Sequence, residues 1–136
     1  MSNPVPYLYS ILRLVPDLDR GEAINIGLVM FCRPQRFLKL EFELDEGRIT
    51  GFSPQVDLVN LDSKLETLRK VAAADATGGP VAALDIGERF HWLTNVSNTI
   101  IQPGFTHPGL TENASATFDR LFAKLVRTPD SGSVGR

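Results

Sequence analysis

Residues 22–32, EAINIGLVMFC, carry apolar side chains at nearly every position. The even positions Ile24, Ile26, Leu28, Met30 and Cys32 are all apolar, and the odd positions hold Ala23, Asn25, Gly27, Val29 and Phe31. A strand with one wet face would alternate; this one does not, so it reads as a central strand covered on both faces. Such a strand needs neighbours, and the flanking sequence offers them. Tyr7 to Val15 (YLYSILRLV) lies between Pro6 and Pro16 and reads as a strand interrupted only by Ser10 and Arg13. Pro16 to Gly21 supplies turn-forming residues between the two. After a turn around Pro34, Phe37 to Leu44 alternates cleanly: Leu38, Leu40, Phe42 and Leu44 face one way, Lys39, Glu41 and Glu43 the other, which predicts one wet face.

Asp45-Glu46-Gly47-Arg48 reads as a hairpin loop with Gly47 in a left-handed conformation, and Ile49 to Phe52 as a short returning strand. Further on the period changes. Leu61, Leu65, Leu68 and Val71 or Ala72 recur at helical spacing, with Asn60 or Asp62 as the cap and Glu66 and Lys70 as a pair four residues apart. Thr77-Gly78-Gly79-Pro80 predicts the stop. Gly87 to Thr94 reads as a short helix burying Phe90, Trp92 or Leu93. Thr99 to Gln102 reads as a short strand closed by Pro103-Gly104, and Pro108-Gly109 as a further break. A final helix from about Thr111 to Val126 carries an apolar stripe of Ala114, Phe118, Leu121, Phe122, Leu125 and Val126. Strands crowd the first half and helices the second. We therefore expect an α+β fold: an antiparallel sheet of four or five strands formed mainly by the N-terminal half, with two main helices packed on one face. Residues 1–127 read as a single domain, and the polar tail 128–136 is expected to stay disordered.

Composition narrows the function classes. With 136 residues, 43% of them hydrophobic, one core suffices without a disulfide, and the single Cys32 could not form one. Two histidines and one cysteine argue against a zinc site. The net charge of −2, with both signs interspersed, offers no basic stripe for nucleic acid. Residues 1–6 do not resemble a signal peptide, and no apolar run approaches the ~20 residues of a membrane span. We expect a cytoplasmic protein with no metal, cofactor or membrane. No phosphate-binding loop, nucleophile elbow or His-Glu-x-x-His helix occurs, so any chemistry must come from scattered residues, and an enzymatic role stays open.

One scattered group stands out: Arg13, Arg20-Gly21-Glu22, Asn25 and Gly27. Arg13 and Asn25 interrupt apolar strands, and leaving either buried without a partner costs about 1–3 kcal/mol. Either they form a structural network, with Gly27 permitting a close approach, or they line a pocket. In the pocket reading Arg13 or Arg20 grips an anion and Glu22 acts as base or metal ligand. A later polar group comprises Ser97, Asn98, Thr99, Gln102 and His107. His107, between Thr106 and Pro108, reads as a loop histidine, either a general acid–base residue or a surface residue. His91 reads as packed or simply exposed. Trp92 and Phe105 fill the core or form an aromatic platform. The candidate site is therefore Arg13, Arg20, Glu22, Asn25 and His107.

Tyr9-Ser10-Ile11-Leu12-Arg13, Val15-Pro16-Asp17 and Arg20-Gly21-Glu22-x-x-Asn25-Ile26-Gly27 resemble the bacterial family called domain of unknown function 3037. Arg89-Phe90-x-Trp92-Leu93, Thr99, Gln102, His107-x-Gly109-Leu110 and Leu121-Phe122 resemble its second half. The resemblance runs from about Tyr7 to Val126. The family pattern places Arg-Ser where this chain has Ser97-Asn98, which puts any anion binding by that arginine in doubt here. Its members are frequently encoded beside HipA-like kinases, so the resemblance implies an accessory role in a kinase-linked, toxin–antitoxin-like system, and no activity. Two readings follow: an interaction module that binds a HipA-like kinase or itself, and a small enzyme or ligand-binding protein for a phosphorylated or nucleotide-like molecule.

Overall fold

The computed structural model describes residues 3–96 and 100–127. Strands β1 (Val5–Leu14), β2 (Ile24–Cys32) and β3 (Phe37–Phe42) come first. Helices α1 (Glu46–Phe52), α2 (Leu58–Ala72) and α3 (Ile86–Thr94) follow, then strands β4 (Ile101–Pro103) and β5 (His107–Thr111) and helix α4 (Ala114–Leu125). The fold is α+β. The five strands form one sheet in the order β3-β2-β1, with β4 and β5 both paired to the far side of β1, and every pairing is antiparallel. No helix among the described residues is long and apolar enough to cross a membrane.

As its sequence required, β2 is central, and it is buried without interruption from Ile26 to Cys32. The helices, however, lie on both faces of the sheet and not on one. Leu61, Leu65, Leu68 and Val71 of α2 and Phe90 and Leu93 of α3 pack with Leu12, Leu14, Val29, Phe31 and Leu40 on one side. Phe118, Leu121 and Phe122 of α4 pack with Tyr7, Leu28, Met30 and Cys32 on the other. A strand apolar on both faces leaves two surfaces to cover, and at about 1.5–3 kcal/mol per buried large side chain neither stays bare. The odd side of β3, read as wet, is partly roofed by α4, with Lys39 Nζ 5.0 Å from the centre of the Phe118 ring.

A β-bulge corrects the simple alternation of β2. Leu12 pairs with Gly27 and Arg13 with Asn25, so Ile26 is the extra residue. Ile24 and Ile26 therefore face the α2–α3 side together with Val29 and Phe31, and Asn25 is turned toward α4. Gly27 is required here. A Cβ on it would stand 3.0 Å from the carbonyl oxygen of Glu41 and 3.2 Å from Leu12 Cδ1.

Residues 45–52 differ from the hairpin expectation. They form α1, capped by the Asp45 carboxylate, which accepts the Arg48 N–H at 3.0 Å. Ile49 and Phe52 are spaced for one helix face, and Ile49 is buried in the core. Gly47 does not adopt a positive φ. Asp57 caps α2 in place of Asn60 or Asp62. Glu66 pairs with Arg69 and not with Lys70, because Arg69 also bonds Glu41 on β3 at 2.8 Å and lies over the Phe42 ring. The helix ends at Ala72, before the Gly78-Gly79-Pro80 stop, with Ala74 at φ 59°. Thr99, the expected start of a strand, and the tail 128–136 lie outside the described residues.

Candidate functional site

On β1, Tyr9, Ile11 and Arg13 share the face turned toward α4, since alternate residues of a strand point the same way. Beside them runs the β4–β5 loop. It is fastened to β1 at two points: the Gly104 N–H donates to the Ile11 carbonyl at 2.8 Å, and the Ser10 hydroxyl donates to the Gly104 carbonyl at 2.9 Å. Ser10 is fully buried, and Gly104, which accepts this second bond, is partly so. His107, expected in a loop, is the first residue of β5, directly opposite Tyr9, and the two rings stack with centroids 5.1 Å apart. The break expected at Pro108-Gly109 is strand as well. An edge strand tolerates proline because an outward N–H has no ladder partner to lose.

Ile11, Arg13, Pro103, Gly104, Phe105 and His107 line a groove of about 360 Å³. Arg13 is half-buried, and its Nε is enclosed with no hydrogen-bond partner among the described residues. Phe105 is 88% exposed at the rim and fills no core.

Only Arg13 and His107 of the five candidate residues meet in this groove. Asn25 stands opposite Arg13 on β2, but its Nδ2 donates to the Leu125 carbonyl at 3.0 Å and ties β2 to the end of α4. Arg20 and Glu22 lie elsewhere, in a cleft with Pro16, Asp17, Asp19 and Phe52. Arg20 Nε bonds Glu22 Oε1 at 2.8 Å, with side chains 66% and 56% exposed. The hydrogen bond from Arg20 holds the Glu22 carboxyl below its ordinary range and raises the Arg20 guanidinium. With Asp17, Asp19 and Glu22 around it, Arg20 presents no net positive charge to an anion. A proton-accepting Glu22 is also disfavoured, because its anionic form is the one stabilised.

Of the later polar group, Ser97, Asn98 and Thr99 lie outside the described residues, and Gln102 pairs with Arg13 in the β1–β4 ladder. His91 is exposed, and its carbonyl accepts from Asn95 Nδ2 at 2.7 Å. Phe90 and Leu93 are buried, whereas Trp92 is not. Cys32 is buried against α4. No group of three or more His, Cys, Asp or Glu among the described residues could hold a metal ion.

Sequence reasoning missed two features. Arg89 was noted only as part of a motif, yet it donates from Nη1 to the Ala72 carbonyl at 2.7 Å and from Nε to the Leu84 carbonyl at 3.0 Å. It thereby satisfies the open C-terminal end of α2. The second is an apolar surface. Pro6 pairs with Leu110 and Leu8 with Pro108, and directly opposed residues share a sheet face. All four are exposed, Leu8 at 37% and Leu110 at 68%. They continue the face on which Leu12 and Leu14 are buried under the helices, at a corner that the helices do not cover. The alternation of β1 was the available signal, but without β5 in register nothing showed that the corner stays open.

The family described as Protein of unknown function (DUF3037) has a model that matches residues 9–126, and the chain belongs to this family. No curated protein and no solved structure matches it.

Proposed function

We propose that the chain is an accessory, protein-interaction module that docks through the open corner of its sheet. The carrying observation is the uncovered set Pro6, Leu8, Pro108 and Leu110, four apolar side chains adjacent on one face. Contiguous exposed apolar surface of this kind is characteristic of contact sites. Neither sheet edge invites strand addition, which leaves the apolar face as the contact surface. Edge strand β3 carries Lys39 and Glu41, charges of the sort that deter unwanted pairing. Edge strand β5, His-Pro-Gly-Leu-Thr, pairs with β1 alone among the described residues and carries Pro108 on its edge. A partner can lie against the apolar face, while Pro108, which lacks an N–H, disfavours addition of a further strand beside β5.

The partner implied by the resemblance is a HipA-like kinase encoded beside the gene, and the setting is the cytoplasm. Co-expression of the two chains followed by gel filtration tests this. The kinase is expected to co-elute with the native chain and to be lost with Leu110→Asp. A chain that stays monomeric and is ignored by the kinase overturns the reading. Self-association abolished by the same substitution makes a second copy the partner.

The second reading, ligand binding, began with Arg20-Gly21-Glu22 and Asn25. Those side chains are engaged with one another or with α4, and of the five candidate residues Arg13 and His107 line a common groove.

A further inference from the structure

Of the two arginines that the sequence singles out as anion holders, Arg20 is neutralised by Glu22 and shares its cleft with Asp17 and Asp19. Arg13 differs in every respect that matters electrostatically. Among the described residues no carboxylate lines its groove, and its enclosed Nε–H meets no acceptor. Most buried donors in folded proteins are satisfied, and a charged group left partly desolvated without an acceptor is costly. The guanidinium therefore keeps its positive charge without a counter-ion among the described residues that line the groove.

The adjacent backbone forms the wall beside it. Gly104 lies against the guanidinium, and a Cβ there would stand 3.7 Å from Arg13 Nε and 3.4 Å from the Ile11 carbonyl oxygen. The loop carrying Gly104 and Phe105 is held by the Ser10 and Ile11 bonds, so the Phe105 ring is presented from an anchored backbone. On the neighbouring wall the His107 ring is held against Tyr9. Two flat rings flanking one unneutralised cation match a ligand that is itself a flat ring carrying a negative charge. The groove volume of about 360 Å³ falls in the ~300–1,000 Å³ range of small-molecule sites.

We propose that the groove between β1 and the β4–β5 loop binds a small molecule bearing an oxyanion on a flat ring. Arg13 holds the oxyanion, and Phe105 and His107 flank the ring. The site lies on the α4 side of the sheet, away from the apolar corner, and does not depend on the docking reading.

Amide NMR titration of the full chain tests the proposal with phenyl phosphate, benzoate and phenol as probes. At least one of the two aromatic anions is expected to give saturable shifts at the Gly104, Phe105 and His107 amides. Arg13→Gln is expected to weaken that binding by about tenfold or more, and Phe105→Ala by about threefold. Tighter binding of phenyl phosphate assigns a phosphate ester as the ligand class; tighter binding of benzoate assigns a carboxylate. Absence of saturable shifts with both anions at millimolar concentration overturns the site, as does undiminished binding to Arg13→Gln. If Arg13→Gln does not fold, phenol decides: the uncharged ring binding as well as the anions removes the role assigned to Arg13.

Discussion

The side-chain amide of Asn25 donates a 3.0 Å hydrogen bond to the carbonyl of Leu125, a hundred residues further along the chain. The bulge at Ile26 turns Asn25 toward α4, and the last turn of α4 offers a carbonyl with no partner inside the helix. One irregularity in a central strand thus fastens the C-terminal helix. Asn25→Leu removes the donor and leaves a part-buried carbonyl unpaired. We expect a loss of about 1–2 kcal/mol, read as a lower urea midpoint at unchanged slope.

Gly27 sits beside the same bulge, where a methyl group meets the Glu41 carbonyl at 3.0 Å and Leu12 Cδ1 at 3.2 Å. The first neighbour is backbone of an adjacent strand and yields little. Gly27→Ala is expected to cost about 1–3 kcal/mol, despite the gain that alanine ordinarily brings to a strand. Thermal unfolding at fixed pH measures it; an unchanged midpoint would show that β3 shifts freely.

Arg89 links α2 to α3 through the carbonyls of Val71 and Ala72 and the carbonyl of Leu84. Arg89→Met keeps much of the aliphatic stem but abolishes these charge-assisted bonds. A destabilisation of about 1.5–3 kcal/mol is expected, with faster amide exchange concentrated at the end of α2 and the start of α3. Uniform change across the sheet would place the role of Arg89 elsewhere.

The Asp75 carboxylate accepts from both the hydroxyl and the N–H of Thr77, and these bonds hold its pKa below the ordinary aspartate value. A carboxyl depressed in the folded state adds stability that is fully present above its unfolded pKa of about 3.9. That contribution is lost as pH falls through the lower, folded value. Carboxyl carbon NMR is expected to place the Asp75 midpoint below that of an unstructured aspartate. Thr77→Val removes the hydroxyl bond and is expected to move the midpoint upward; no movement would assign the shift to the backbone bond alone.

The elements that local pattern determines were legible without coordinates. Strands β1 and β2, the central place of β2 and the stripe of α4 follow from side-chain period, because burial selects one periodicity per element. Residues 45–52 were misread because Asp-Glu-Gly-Arg suits a hairpin turn and a capped helix alike. Only the packing of Ile49 into the core distinguishes the two.

The candidate site divides along the same line. That Arg13, Arg20, Glu22 and Asn25 were polar exceptions needing partners was evident from the chain itself. Which partner each took was a matter of distance between segments far apart in sequence: Glu22 for Arg20, the end of α4 for Asn25, and for Arg13 a groove completed by residues 103–107. Strand register decided the apolar corner in the same way, by setting Leu110 beside Pro6 and Pro108 beside Leu8. Period and charge are properties of neighbours along the chain and can be read from it directly. Register, the bulge and the meeting of distant loops depend on how two covered faces close around one sheet, which no local pattern encodes.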